Sequence, residues 1–352
     1  MSSATGQEQC IFIWQFREFL SGIFQLCNLY LKNMKKILVP IDYSSDSQNA
    51  LLYALDLAHV LKANIVLVHA FYQPLSFPYS QDFTSVVNAL EKEKAAELEA
   101  YAAKVKGALL EDFSLQFHST VGAEKEVVSG LPVTKEGFHT VEIERAPAAR
   151  AEVEVRCIAK YGFAADEIVK AVDVQQADMV VMGMRGIGGI HLALLGRTAL
   201  SVIRDVQVPV FAIPKAARYK GLKSVVFAAD LAKSPAVAVL DSLRDYLKAF
   251  RSTLQVLYLY SKDQQQAEQE KSLAALEDMG KAFSDLDYRV TFQQREDTAE
   301  AIKQFIQEQQ ADLLVLAPQK RGFLEDLLNK SVTQRMMAKT FIPLLALPPL
   351  PR

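Results

Sequence analysis

The sequence predicts an α/β protein made of two tandem, doubly wound parallel-sheet domains, and three observations predict it. Short continuous apolar runs alternate with amphipathic runs of helical period along most of the chain. At 352 residues the chain is about twice the commonest domain size, enough for two cores. A segment near the middle also returns near the end. QQADMVVMG, Gln175 to Gly183, aligns without a gap on QQADLLVLA, Gln309 to Ala317, an offset of 309 − 175 = 134. That offset carries Ile168 onto Ile302, Pro209 onto Pro343 and Pro214 onto Pro348, so VPVFAIP overlays IPLLALP. A constant offset of this reach marks a duplication.

The elements follow in order. ILVPI (Ile37–Ile41) is a buried strand, SDSQNALLYALDLAHVLK (Ser45–Lys62) a helix, NIVLVHAF (Asn64–Phe71) a strand and VVNALEKEKAAELEAYAAKVKGAL (Val86–Leu109) a second helix. VEVRCIA (Val153–Ala159), AADEIVKAVDVQQ (Ala164–Gln176) and MVVMG (Met179–Gly183) continue as strand, helix and strand. A glycine loop with its helix leads to VPVFAI (Val208–Ile213). Strands apolar throughout, joined by helices, imply a parallel sheet covered on both faces. KSVVFAAD (Lys223–Asp230) opens the second copy as KKILVPID (Lys35–Asp42) opens the first, each an apolar strand ending in aspartate. The offset there is 230 − 42 = 188, so the first copy holds 188 − 134 = 54 extra residues. Much of that surplus falls between Phe117 and Arg150, where Gly122, Gly130, Gly137, Pro132 and Pro147 punctuate a polar run. A passive surface insertion, a hairpin and a lid are all open for it.

The predicted organisation is an N-terminal extension over 1–33, a first domain over 34–216 with an insert near 117–150, and a second, degenerate domain over 217–352. IFIWQFREFLSGIFQLCNLYLKN (Ile11–Asn33) is apolar but broken by Gln15, Arg17, Glu18, Gln25 and Asn28, short of the run of about 20 apolar residues that spans a bilayer. It lacks a basic n-region and an A-x-A-like site, so it does not read as a signal peptide. MKKILVPID from Met34 would make a complete start, leaving the extension non-native; an amphipathic helix that docks on a partner or a membrane surface is the other reading.

Charge and cysteine usage bound the partners. A net charge of −2 gives no reason to expect nucleic acid or an anionic membrane. Cys10, Cys27 and Cys157 contain no C-x-x-C pair and supply neither a disulfide framework nor a zinc site, which points to a cytoplasmic protein. His59, His69, His118, His139 and His191 show no i, i+4 pair and no H-E-x-x-H, so no metal site is expected. His69 reads as a hydrogen-bonded core residue and Cys157 as a small buried hydrophobe. Neither a G-x-S-x-G elbow nor a G-x-x-x-x-G-K-[ST] loop is present, so no catalytic residue is assigned and the protein is not expected to be an enzyme.

The candidate chemistry lies in GMRGIGGIHLALLGRTALSVIRDVQVPVFAIP, Gly183 to Pro214. Gly183, Gly186 and Gly196 fall as G-x2-G-x9-G, the first closing a strand and the last opening a helix. Glycine lets backbone N–H groups approach an anion without a Cβ between, and a helix N-terminus adds a favourable dipole, so a phosphate suits the geometry. Turn torsions alone would also call for such glycines. Ligands of parallel sheets bind beyond the carboxyl ends of the strands, where Asp42 and Gly183 stand.

At these residues the chain resembles the universal stress protein family in a tandem form, through VPID, the ADMVVMGMRG strand and loop, and the VPV strand, over nearly everything from Met34 onward except the insert. The resemblance implies a Rossmann-like, adenine-nucleotide alpha hydrolase-like fold and a site for ATP or another adenine nucleotide, with magnesium accompanying it. It implies adenine and ribose near Pro40, Asp42 and Ala70, and phosphates near Met182, Gly183, Gly186, Gly196, Arg197 and Thr198. The family pattern ends G-[ST], whereas here Arg197 follows Gly196 and the hydroxyl comes one place later at Thr198. A lost hydroxyl contact costs about 1 kcal/mol and a charge-assisted bond from Arg supplies about 1.5 to 3 kcal/mol, so Arg197 compensates if it turns toward the phosphates and contributes nothing if it points to solvent. In the second copy Ala317, Lys320 and Lys330 replace the glycines while Ser331 restores a hydroxyl; that half is expected not to bind nucleotide, with Asp230 kept by strand geometry.

Two function classes remain: a stress-response regulator whose nucleotide occupancy alters contacts with an unknown protein partner, any ATP hydrolysis being slow and incidental, and a nucleotide-independent scaffold or interaction module. Both copies end in short apolar strands, an edge that invites pairing. Val210 and Phe211 are expected against Leu344 and Leu345 in antiparallel contact, an intramolecular pseudo-dimer that leaves a further homodimer open.

Overall fold

Ten strands form one continuous sheet in a computed structural model of the chain. It describes residues 36–74, 82–119, 126–128, 131–133, 153–185, 195–229, 237–260, 269–294, 298–317 and 342–348. The N-terminal extension, Gly186, Asp230, Lys320, Lys330 and Ser331 lie outside the described residues.

In the first repeat, strands β1 (Lys36–Pro40), β2 (Asn64–Phe71), β5 (Val155–Tyr161), β6 (Met179–Gly183) and β7 (Val210–Ile213) join helices α1 (Ser45–Leu61), α2 (Phe83–Ser119), α3 (Ala164–Gln175) and α4 (Arg197–Asp205). The second repeat supplies strands β8 (Ser224–Ala229), β9 (Thr253–Tyr260), β10 (Tyr288–Gln294), β11 (Leu313–Leu316) and β12 (Leu344–Ala346), with helices α5 (Val237–Phe250), α6 (Gln269–Ala282) and α7 (Thr298–Glu308). The order β10-β9-β8-β11-β12-β7-β6-β1-β2-β5 is parallel throughout except where β12 meets β7. Within the insert, β3 (Glu126–Val128) and β4 (Leu131–Val133) pair antiparallel as a separate hairpin. Helix α2 runs ten residues beyond the predicted Leu109, to Ser119.

Alternation along the buried strands builds two cores. Ile37, Val39, Val181 and Phe211 face helices α1, α2, α5 and α6; Leu38, Val180, Met182 and Val210 face α3, α4 and α7. Each core draws residues from both repeats, so the apolar layers run through the seam.

The repeated QQAD segment has the same local task in each half. Gln176 (φ 50°) and Gln310 (φ 47°) take the left-handed conformation that ends a helix. Ala177 N–H then donates to Val172 O at 2.9 Å and Ala311 N–H to Ile306 O at 3.0 Å. The aspartate that follows latches the first strand of its repeat. Asp178 Oδ2 accepts from Lys36 N–H at 2.7 Å, and Asp312 Oδ2 accepts from Lys223 N–H at 2.8 Å and Ser224 N–H at 2.9 Å.

The seam is antiparallel, as expected from the two terminal strands, with Phe211 opposite Leu345, Val210 opposite Ala346 and Ala212 opposite Leu344. Val210 therefore faces Ala346, not Leu344 or Leu345. The shift follows from symmetry. Since 345 − 211 = 134, Phe211 and Leu345 are equivalent positions of the two repeats, and a local two-fold must pass between them. The connection after β7 is held by helix α1: buried Asn49 donates through Nδ2 to Pro214 O at 2.9 Å and Ala217 O at 3.0 Å, and accepts from the Arg218 guanidinium at 2.7 Å.

Candidate functional site

The chain leaves β1 for β2 and β5 on one side and returns through β6 and β7 on the other, which makes the β1–β6 junction the switch point of the first repeat. Crossovers diverge there and leave a crevice at the carboxyl ends of the strands. A cavity of about 330 Å³ occupies it, near the low end of small-molecule sites. Pro40, Ile41 and Asp42 reach it from β1, Val68 and Ala70 from β2, Met182 and Gly183 from β6, and Gly196, Arg197 and Thr198 from the start of α4.

Every described residue of the predicted site lines this one cavity; Gly186 lies outside the described residues. Sequence reasoning missed Ser47 on α1, Ala164 and Ile168 on α3, and Met184 and Arg185 after β6. The signal available was positional: helices α1, α3 and α4 all begin at the same end of the sheet, so the first turn of each faces the crevice. Val68 was legible in a similar way, two residues before Ala70 on the same face of a strand.

The glycines answer to different neighbours. A Cβ on Gly183 would lie 2.9 Å from the carbonyl carbon and 3.0 Å from the oxygen of Asp46, so the backbone that approaches here belongs to α1. Gly196 N–H donates to Met184 O at 2.7 Å, pinning the start of α4 to the end of β6.

Asp42 is set by its own turn. Its Oδ1 accepts from Ser44 N–H at 3.0 Å and from Ser44 Oγ–H at 2.5 Å, an Asx-type turn, while Ser44 Oγ accepts from Ser47 N–H at 3.1 Å and caps α1. Tyr43 between them adopts φ 60°, a left-handed conformation uncommon for a large side chain. It puts the ring on the opposite face of the sheet, 4.7 Å from His69 and 5.1 Å from Tyr101 by centroids. His69 Nδ1 lies 2.8 Å from Ile41 O, so the ring is a hydrogen-bonded structural residue, as expected. Burial pushes the phenol of Tyr101 up, with the negative charge of Asp42 adding to it. Cys157 on β5 is half-buried rather than fully enclosed, and burial pushes its thiol up to about 11.

The three helix N-termini differ in charge. Helix α1 carries Asp46 in its first turn and α3 carries Asp166 and Glu167, whereas α4 has no acidic residue there and its cap, Gly196, offers no side-chain acceptor. Burial raises the Asp46 carboxyl, partly offset by Lys215 and Arg185. Among the described residues no group of three or more His, Cys, Asp or Glu could hold a metal ion, and no helix is long and apolar enough to cross a membrane.

Known proteins share the fold. A universal stress protein of Methanocaldococcus jannaschii is 24% identical over 189 residues, 53% of this chain and 84% of that protein. A universal stress protein from Archaeoglobus fulgidus superposes with a TM-score of 0.58 at 17% identity, over 90% of this chain and 98% of its own. A functionally unknown protein from Pseudomonas aeruginosa PAO1 gives 0.50 at 14% identity, over 91% and 94%. Likeness at these identities shows the fold. The sequence profile of the universal stress protein family matches twice, at residues 33–214 and 221–348, and the chain therefore belongs to that family, in a tandem form with two such regions.

Proposed function

We propose that the chain acts as a regulatory universal stress protein whose first repeat binds ATP or another adenine nucleotide, its occupancy altering contacts with a protein partner. The observation that carries this reading is the charge layout of the cavity at the β1–β6 junction. Asp42 stands on the β1 side, and on the other the α4 N-terminus presents backbone donors without an acidic or side-chain cap of its own. Such a terminus favours an anion. Val68, Ala70, Ala164 and Ile168 supply an apolar wall of the kind a base requires. Asp42, whose Oδ1 accepts from Ser44, is the lining carboxylate that would accept from a ribose hydroxyl.

Binding without turnover suits the same residues. Asp42 is the only carboxylate among the described lining residues, and His69 turns to the opposite face. Among the described lining residues none other than Asp42 is a candidate general base. Magnesium bound to the phosphates would travel with the nucleotide. The second repeat is proposed not to bind: Ala317 puts a methyl group where Gly183 has none, and its other replacements lie outside the described residues.

Equilibrium dialysis of the full chain against ATP, ADP and AMP tests the proposal. One site per chain, weakened about tenfold or more by Asp42→Ala, is the expected outcome. Absence of binding at millimolar nucleotide would leave the nucleotide-independent scaffold as the correct reading.

A further inference from the structure

We infer that the exposed aromatic patch at the carboxyl ends of β2 and β5 is a docking surface for a protein partner, and that the partner offers a cationic segment, with arginine or lysine set among apolar residues. This goes beyond the nucleotide reading and does not depend on it. Two observations carry it: rings held ready in solvent, and an acidic rim whose neighbouring cations are already engaged.

The rings come from separate elements. Tyr72 follows β2, Tyr161 ends β5, Phe163 is the cap residue before α3 and Phe83 opens α2. Tyr72 is 60% and Phe163 66% exposed, yet the two stack with centroids 5.0 Å apart and planes 18° apart. Tyr161 joins them, 5.6 Å from Tyr72 and 6.3 Å from the half-exposed Phe83. It is fixed twice: its hydroxyl donates to Gln73 O at 2.8 Å and its N–H to Glu91 Oε1 at 3.1 Å. Single exposed aromatics are ordinary, but a contiguous set held by its own contacts marks an interaction surface. Because these rings are already ordered, a partner loses little by immobilising them.

Charge decides the occupant. Asp82 directly precedes Phe83, and Asp166 lies in the first turn of α3, three residues after Phe163; both are exposed. Lys160 is held by Glu91 at 2.8 Å and Lys170 by Glu167 at 2.7 Å. These pairs neutralise themselves and leave the charges of Asp82 and Asp166 beside the rings. A phosphopeptide or an anionic membrane is repelled by such a rim, and a second copy of the chain would bring the same acids against themselves. A guanidinium or ammonium is attracted both to the faces of exposed tyrosine and phenylalanine rings and to the carboxylates beside them. Apolar residues flanking that cation cover the rest of the patch.

The test uses the full chain and labelled peptides of equal length in which leucine alternates with arginine, glutamine or glutamate, read by fluorescence anisotropy at low and moderate salt. The arginine peptide should bind at least about tenfold more tightly than the glutamine peptide, the difference shrinking as salt rises, and the glutamate peptide should bind weakest. Tyr72→Ala and Phe163→Ala should each weaken the arginine peptide about fivefold, and Asp166→Asn about twofold with the glutamine peptide unchanged. Phe292→Ala, which removes a comparably exposed ring from β10 of the second repeat, should leave binding as it is. Circular dichroism checks that each variant is folded. Equal affinity for the arginine and glutamine peptides overturns the inference, as does a Phe292→Ala variant that loses as much as Phe163→Ala. Sedimentation showing self-association of the wild-type chain that Phe163→Ala abolishes makes a second copy the occupant and overturns it too. Binding to phosphatidylcholine vesicles that the same substitution abolishes does so in favour of a lipid surface. Dialysis against ATP tests the nucleotide reading separately, so either proposal can fail while the other stands.

Discussion

The two repeats agree where strand meets helix and disagree where helix meets the cavity. Both keep an αL glutamine, a buried alanine and an aspartate that latches the first strand, at Gln176 to Asp178 and Gln310 to Asp312. At the end of the following strand the first repeat has Gly183, against which the Asp46 backbone packs, and the second has Ala317. Duplication has thus preserved the parts that close the sheet and relaxed a position that shapes a site. A latch is needed by any copy that must fold; a missing Cβ is needed only where another backbone must come close.

The largest test of this comparison lies at the seam, where the copies are equivalent. Phe211 is fully buried and packs edge-on to Tyr246 of the second repeat, with centroids 6.3 Å apart. Phe211→Ala should cost about 3 to 5 kcal/mol and Leu345→Ala about 2 to 5 kcal/mol, read by denaturant unfolding as one transition moving as a whole. Two separate transitions, with only one displaced, would show that the repeats fold independently.

Next comes the position that separates them. Gly183→Val places a branched side chain against the Asp46 backbone and should cost about 1 to 3 kcal/mol, whereas Ala317→Gly should cost under about 1 kcal/mol. Equal costs would mean that Gly183 is not a packing requirement. The latches should differ by less: Asp312 accepts two backbone N–H groups and Asp178 one, so Asp312→Ala is expected to destabilise by about 1 kcal/mol more than Asp178→Ala.

The smallest effect is a difference in pH dependence. In the first repeat burial raises the Asp46 carboxyl, so its ionised form is disfavoured by folding; stability is lost as pH climbs from about 4 upward through the raised value. Asp46→Asn should gain on the wild-type chain over that window. In the second repeat the Arg244 guanidinium, bonded at 2.8 and 2.7 Å, holds Asp285 well below the usual range with help from Lys248. That contribution is present above about pH 4 and fades as pH falls below it, so Asp285→Asn should flatten the acid limb slightly, the pair lying at the surface where solvent screens it. Urea midpoints of both variants from pH 3 to 7 separate the two signs.

Much of this was legible in the sequence because duplication is a sequence property. The matched VPVFAIP and IPLLALP runs placed the seam, and the repeated QQAD segment marked a place of equal structural need. What QQAD does was not legible, since its bonds run to backbone N–H groups 142 and 89 residues away. Gly183 stood out in the sequence, where an approaching anion and turn torsions were both open as its reason; the nearness of the Asp46 backbone was not legible, because a sequence shows which residue lacks a Cβ and not which backbone comes near it. Arg185 was not singled out, since a lone arginine after a strand belongs to no motif. Only the 2.7 Å bond between Met184 and Gly196 shows that it shares a rim with Arg197.

The self-equivalent pairing of Phe211 with Leu345 has a consequence for how each half is maintained. An isologous contact between separate chains forms only as far as their concentration allows, and a copy that weakens its own surface is lost from the assembly. Joined by the short connection that Asn49 holds in place, the second half meets the first at an effective concentration of about millimolar, whatever the amount of protein in the cell. Partner capture is then set by the tether, which frees the second copy to vary its loop chemistry while continuing to complete the sheet of the first.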